Sequence, residues 1–161
     1  MSNDLGKRIR SSRLFSQKTN RAVIVPMDHA LYLGPIGGLT TPFETFQEVI
    51  EGGADAVLMA PGQARICLSG FLGKGAPSLI LRLDTTNLFR SVLPATTGSE
   101  TLIATVEDAV RYGADAVITY FFIGYERDEA EASNIENVAS VARECEKYAM
   151  PYVAEPMARG K

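Results

Sequence analysis

A chain of 161 residues, 46% of them hydrophobic, is long enough to bury one core. Its net charge of −3 at pH 7 argues against a nucleic-acid partner, because phosphate binding ordinarily shows as a basic excess. The N-terminus has no apolar leader and no apolar run approaches the ~18 residues of a membrane span, so the expectation is a cytoplasmic protein with no membrane partner.

Residues 1–20 read as a leader helix, whose Lys7, Arg8, Arg10 and Arg13 form a solvated basic face. Five apolar runs follow: Ala22–Met27, Ala54–Ala60, Ser78–Leu83, Ala114–Phe122 and Pro151–Glu155. Each is apolar without strict alternation, as in parallel strands buried on both faces. Helical patterns lie between most of them. Thr41, Pro42 and Glu44 form a start signal of N-cap, N1 proline and capping-box acid, and Gly52 is placed to take a left-handed C-cap. Pro61–Lys74 holds a short helix, and 94–99 reads as a loop. Thr105 to Asp108 opens another helix ending at Gly113. The last covers about Asp128–Ala149, with Ile135, Val138, Val141, Ala142 and Cys145 on its buried face.

One internal echo organises the chain. Residues 48–59 and 108–119 each run from a helix end through glycine into Ala-Asp-Ala-Val, 60 positions apart. Sixty residues is about two βα units, so the pattern is a parallel α/β repeat. A doubly wound sheet and a (β/α)8 barrel both satisfy it. Cys67 and Cys145 have no CxxC partner and His29 is the one histidine, so neither a metal site nor a cofactor is expected.

In either architecture function gathers at the carboxyl ends of strands. Asp28 and His29 leave the first strand toward a loop with Gly34, Gly37 and Gly38, a setting suited to proton transfer or to holding a substrate hydroxyl. The alternative is that Asp28 caps nearby amides and His29 is a packing residue. The glycines match neither GxGxxG nor a P-loop, so no dinucleotide site is indicated.

The segment VPMDHALYLGPIGGL at 25–39 resembles the first strand and loop of the archaeal-type class I fructose-bisphosphate aldolases. That group includes aminodideoxyheptulosonate synthases and a thiolase acting on phosphorylated autoinducer-2. The resemblance continues through GGADAVLMAPG, LILRLDTTN, VEDAVRYGADAV, FIGYERDEA and YAMPYVAEPMARGK, in the family's order. It implies a partial (β/α)8 TIM barrel, strands 1–5, in a single 1–161 domain. The implied activity is that of a Schiff-base carbon–carbon lyase acting on a phosphorylated sugar-like ketone, with thiolase-like acyl transfer or a non-catalytic fragment as alternatives. It implies catalytic roles for Asp28, His29 and Glu155, substrate contacts from Gly34, Asp84, Tyr120 and Arg159, and a homo-oligomer at full length.

Two departures bear on function. Aldolase and synthase members carry a tyrosine proton donor in a Tyr-Pro-Arg-Gly motif after strand five; Met157 stands at that position here, so either another group such as Glu155 or Tyr120 takes the role or the chemistry differs, as in the thiolase branch, which also lacks that tyrosine. Glu155 reads equally well as a strand-end carboxylate paired with Arg159. The Schiff-base lysine is expected on a sixth strand, about 25–30 residues past Lys161 at one βα unit per strand. Lysines 7, 18, 74, 147 and 161 fall in helix, loop or terminal positions, so the 161 residues alone are expected to be inactive. Asp28, Asp84, Tyr120 and Glu155 should meet at one end of a parallel sheet ordered as the chain runs.

Overall fold

The structure, a computed structural model, describes residues 5–89 and 98–159; Lys161 and positions 94–97 of the expected loop lie outside them. Five strands form one sheet: β1 (Ile24–Pro26), β2 (Ala56–Met59), β3 (Ser78–Arg82), β6 (Ala116–Ile123) and β7 (Tyr152–Ala158). They lie in the order β1-β2-β3-β6-β7 and every pairing is parallel. Parallel neighbours require crossovers, and these are supplied by α3 (Pro42–Glu51), α4 (Pro61–Ile66), α5 (Val106–Arg111) and α6 (Asp128–Tyr148). The result is a curled half of a (β/α)8 barrel.

The period-2 alternation of each strand divides its side chains between two cores. Val57, Met59, Leu79, Leu81, Leu83 and Val117 face outward and join Phe46, Val106, Val141 and Cys145 of the helices in one cluster. Ala56, Leu58, Ile80, Ala116 and Ile118 face inward, and their cluster is completed by Leu14 of α1 (Leu5–Leu14). The leader helix therefore sits across one end of the half-barrel. Its basic residues are not simply a solvated face. Lys7 pairs with Glu146, Arg10 donates to the Ala149 carbonyl at 3.1 Å, and Arg13 meets Asp115 at 3.0 Å. Asp115 belongs to the second Ala-Asp-Ala-Val echo. Its counterpart Asp55 accepts the Val23 amide at 2.8 Å, so both aspartates tie incoming chain to the start of a strand.

The two helix-start signals resolve differently. Thr105 and Asp108 form the reciprocal capping box, each accepting the other's amide at 3.0 Å. Thr41 makes no side-chain cap; the hydroxyl of Thr45 instead reaches the Gly38 carbonyl and ties the loop to α3. Gly52 remains right-handed at φ −69°, and the left-handed residue is Gly53 at φ 82°. On α6 the buried face is Asn134, Val141 and Cys145, while Ile135 is 47% exposed. An antiparallel pair that the sequence reading did not anticipate, β4 (Asp84–Thr86) with β5 (Glu100–Leu102), stands beyond the end of β3.

Candidate functional site

Continuing the inward alternation past the apolar layer brings a polar layer at the carboxyl ends of the strands. Arg82 is the last residue of β3, and Tyr120 of β6 is in register with Glu155 of β7. Asp28 and Asp84 lie just beyond β1 and β3. Arg82, Asp28, Asp84 and Tyr120 are each at most 2% exposed.

Arg82 holds the layer together. Its Nε donates to Asp28 at 2.7 Å, Nη1 to Asp84 at 3.3 Å and Nη2 to Glu155 at 2.6 Å, and its guanidinium lies 4.0 Å from the centroid of the Tyr120 ring. A planar fork of donors suits such a hub better than a lysine ammonium would. Burial works against the Arg82 charge, but Asp28, Tyr120, Asp84 and Glu155 more than offset it and raise its pKa. Burial pushes the Asp84 carboxyl up to about 6 against the opposing pull of Arg82 and of the Tyr120 amide, which donates to it at 2.7 Å. Burial likewise lifts the Tyr120 phenol well above its ordinary range.

Four of the expected site residues, Asp28, Asp84, Tyr120 and Glu155, thus meet around one cation. Asp28 is an ion-pair partner rather than a cap of nearby amides. Glu155 pairs with Arg82 and not with Arg159. His29 stands beside them, Nδ1 3.8 Å from Asp28 Oδ1, with its side chain 41% exposed. Arg159 belongs to an adjoining aromatic layer, its guanidinium 4.9 Å from the Phe89 ring centroid and 5.0 Å from that of Phe122, with Nε and Nη2 buried and unbonded. Gly34 closes the short helix α2 (Ala30–Leu33) at φ 75°, with open space where a Cβ would stand. Met157 packs against the cluster of Leu88, Tyr120 and Phe122.

Sequence reasoning missed Arg82. An arginine inside the otherwise apolar run SLILRL was the available signal, since a charge on a doubly buried strand needs partners. It missed Glu100 as well, whose carboxyl burial pushes up to about 7 while Asn137 donates to its other oxygen at 3.1 Å. Asn134 anchors the layer from behind, accepting the Phe122 amide at 2.8 Å and donating to the Tyr120 carbonyl at 3.3 Å.

Three carboxylates and a phenol gather around one guanidinium at the carboxyl ends of the strands, the end at which barrel enzymes carry their sites. Residues 22–161 match the DeoC/LacD family of aldolases, and the chain belongs to that family. It is 36% identical over 154 residues to an uncharacterised aldolase of Saccharolobus solfataricus, covering 95% of this chain and 56% of that protein. It is 35% identical to a 2-amino-3,7-dideoxy-D-threo-hept-6-ulosonate synthase of Halobacterium salinarum, covering 98% and 55%. It is 30% identical to a 3-hydroxy-5-phosphonooxypentane-2,4-dione thiolase of Yersinia pestis, covering 94% and 48%. The chain therefore spans about half the length of the curated relatives it matches. Among solved structures, a Schiff-base-forming fructose-1,6-bisphosphate aldolase superposes with a TM-score of 0.74 at 24% identity, over 96% of this chain and 58% of that one. The likeness extends the half-barrel reading to a shared fold.

Proposed function

We propose that residues 1–161 form the first five βα strands of a class I aldolase, a carbon–carbon lyase that acts on a phosphorylated sugar-like ketone. The observation that carries the reading is the Arg82 hub, which holds Asp28 and Glu155 side by side where a barrel enzyme works on its substrate. In this reading the iminium-forming lysine stands on a sixth strand outside these residues. The described lysines support it: Lys7 and Lys147 are helical and Lys18 and Lys74 lie in turns, none in the apolar strand setting that lowers a lysine's pKa. The substrate phosphate is assigned to loops following strands seven and eight.

Asp28 orients the substrate or moves a proton, with His29 beside it at the rim and Glu155 as the second carboxylate. Asp84 and Tyr120 shape the floor, and Gly34 and Arg159 contact substrate from the first and fifth loops. The complete protein is cytoplasmic and homo-oligomeric in this reading. Thiolase-like acyl transfer is the second reading, favoured by Met157 at the position of the aldolase tyrosine and by the Yersinia pestis relative.

Turnover by the complete barrel with Asp28→Asn tests the assignment. The two side chains are nearly isosteric, so the change removes charge and basicity with little change of shape. Loss of one positioned acid–base group lowers kcat by about 10²–10⁴-fold. A change below about tenfold would reduce Asp28 to a partner of Arg82. Appearance of an acetylated acceptor in place of a cleaved aldehyde would select the thiolase reading.

A further inference from the structure

We propose that Glu100 and Asn137 form a proton-operated latch, which clamps the β4–β5 pair to α6 while Glu100 is neutral and releases it when Glu100 ionises. The proposal stands apart from the aldolase reading, because it concerns how the rim of the site is held and not the chemistry done there.

Beyond its pairing with β4, β5 has little to hold it. Thr101 and Leu102 are exposed, and Glu100 is the one residue of the strand that is partly buried. The bond from Asn137 Nδ2 to Glu100 Oε1, at 3.1 Å, is the one hydrogen bond between the pair and α6 among the described residues. The second oxygen, Oε2, is sealed from solvent and accepts no hydrogen bond. An ionised carboxylate has about four acceptor sites to fill. A sealed, unbonded oxygen is therefore far better tolerated in the neutral acid.

The surroundings supply no counter-charge. On β4, Asp84 is a like charge. After β6, the Tyr125 phenol is held up at about 12 by burial and then by Glu100 itself, against the pull of Arg159. On β7, the Tyr152 hydroxyl is bonded to Thr119, while Arg159 lies against the Phe89 and Phe122 rings and makes no ion pair with Glu100. On α6, Glu131 is taken by the amides of Gly124 and Tyr125. Burial, opposed by Asn137 and reinforced by Asp84, accordingly lifts the Glu100 carboxyl to about 7.

The same place offers room for the charge once it forms. A cavity of about 130 Å³, lined by Ser99, Glu100, Tyr125, Ser133 and Asn134, separates β5 from the first half of α6. At ~30 Å³ per water it accommodates about four. On ionisation the proton passes to water there, the carboxylate turns toward the cavity, and the Asn137 bond is given up. Asp84, bonded to Arg82, pairs with Leu102 of β5, so release of β5 loosens the strand that carries part of the ionic layer. The closed form holds the proton more tightly than the open form, whose glutamate titrates near the ordinary 4.5. The latch is therefore complete below about pH 4.5, weakens by up to tenfold per pH unit above it, and levels off beyond about 7.

Hydrogen exchange of the full-length protein, read by mass spectrometry on residues 99–104 and corrected for intrinsic rates, tests the latch. From pH 5 to pH 8 the protection of this segment should fall at least about tenfold more than that of β2. Glu100→Gln, a neutral copy of the protonated acid, should abolish that excess. A wild-type excess below tenfold overturns the proposal. So does an excess that persists in Glu100→Gln, which would assign the proton to Asp84. Asn137→Ala, at a partly exposed helix position, removes the donor and leaves the carboxyl in place. It should lower the protection of β5 at pH 5 at least about twofold, the loss of one modest hydrogen bond; a smaller change overturns the latch.

Discussion

Replacing Arg82 by methionine removes the one cation from a layer of three carboxylates while keeping most of the side-chain volume. Asp28 and Asp84 are at most 1% exposed, and both lose their ion pair. Breaking a buried pair by deleting one partner costs about 3–5 kcal/mol, a large share of the ~5–15 kcal/mol that holds a domain together. The loss must depend on pH. Without Arg82, the Asp84 carboxyl, already lifted by burial, loses the pull that opposes the rise, so the folded state holds its proton still more tightly than the unfolded one. The stability this proton confers is complete below about pH 4 and falls as pH rises through the folded pKa. Urea midpoints followed by far-UV circular dichroism, at one protein concentration, should show a larger deficit for Arg82→Met at pH 8 than at pH 5. A deficit below about 1 kcal/mol at pH 8, well under the cost of an unpaired buried charge, would refute the hub. So would a deficit larger at pH 5.

Asp84→Asn should flatten the wild-type pH dependence. A folded pKa of about 6 against the ordinary 3.8 of an aspartate means that the Asp84 contribution is present below pH 4 and lost as pH rises through about 6. At about 1.4 kcal/mol per unit the change is about 3 kcal/mol, read as melting temperature at pH 4.5 and 7; an unaltered slope contradicts the assignment. Five strands leave β1 and β7 as edges, because closure fixes strand number, tilt and shear together. Val23, Ile24 and Val153 are exposed there, at 58%, 42% and 37%. The 161-residue chain should therefore bind a hydrophobic dye or self-associate, and a dye-free monomer with one sharp melt would show the edges satisfied in another way.

The parallel order of strands was legible because doubly buried strands are continuous apolar runs and the Ala-Asp-Ala-Val echo repeats at the spacing of two βα units. What escaped the sequence depended on partners distant in the chain. Arg82 sits in an apolar run, and its role comes from Asp28 and Glu155, 54 and 73 positions away. The antiparallel pair escaped because Asp84–Thr86 and Glu100–Leu102 are three residues long and mostly polar, with no periodicity to detect. On α6 the apolar pattern selected Ile135, yet the backbone of β6 requires its neighbour Asn134, because a buried amide pair is worth more when satisfied than one more aliphatic contact. Thr41 and Thr105 carry similar capping signatures, and only the second closes its box. At the first, it is Thr45 whose hydroxyl is used, tying the Gly38 loop to α3.

Borohydride reduction in the presence of a ketose phosphate, followed by peptide mapping, tests the central claim most directly. The 161-residue chain should acquire no adduct, and a protein extended through strand six and the rest of the barrel should acquire one, at a lysine beyond residue 161. An adduct on the 161-residue chain itself would contradict the account, and Lys161 would be the first residue to examine.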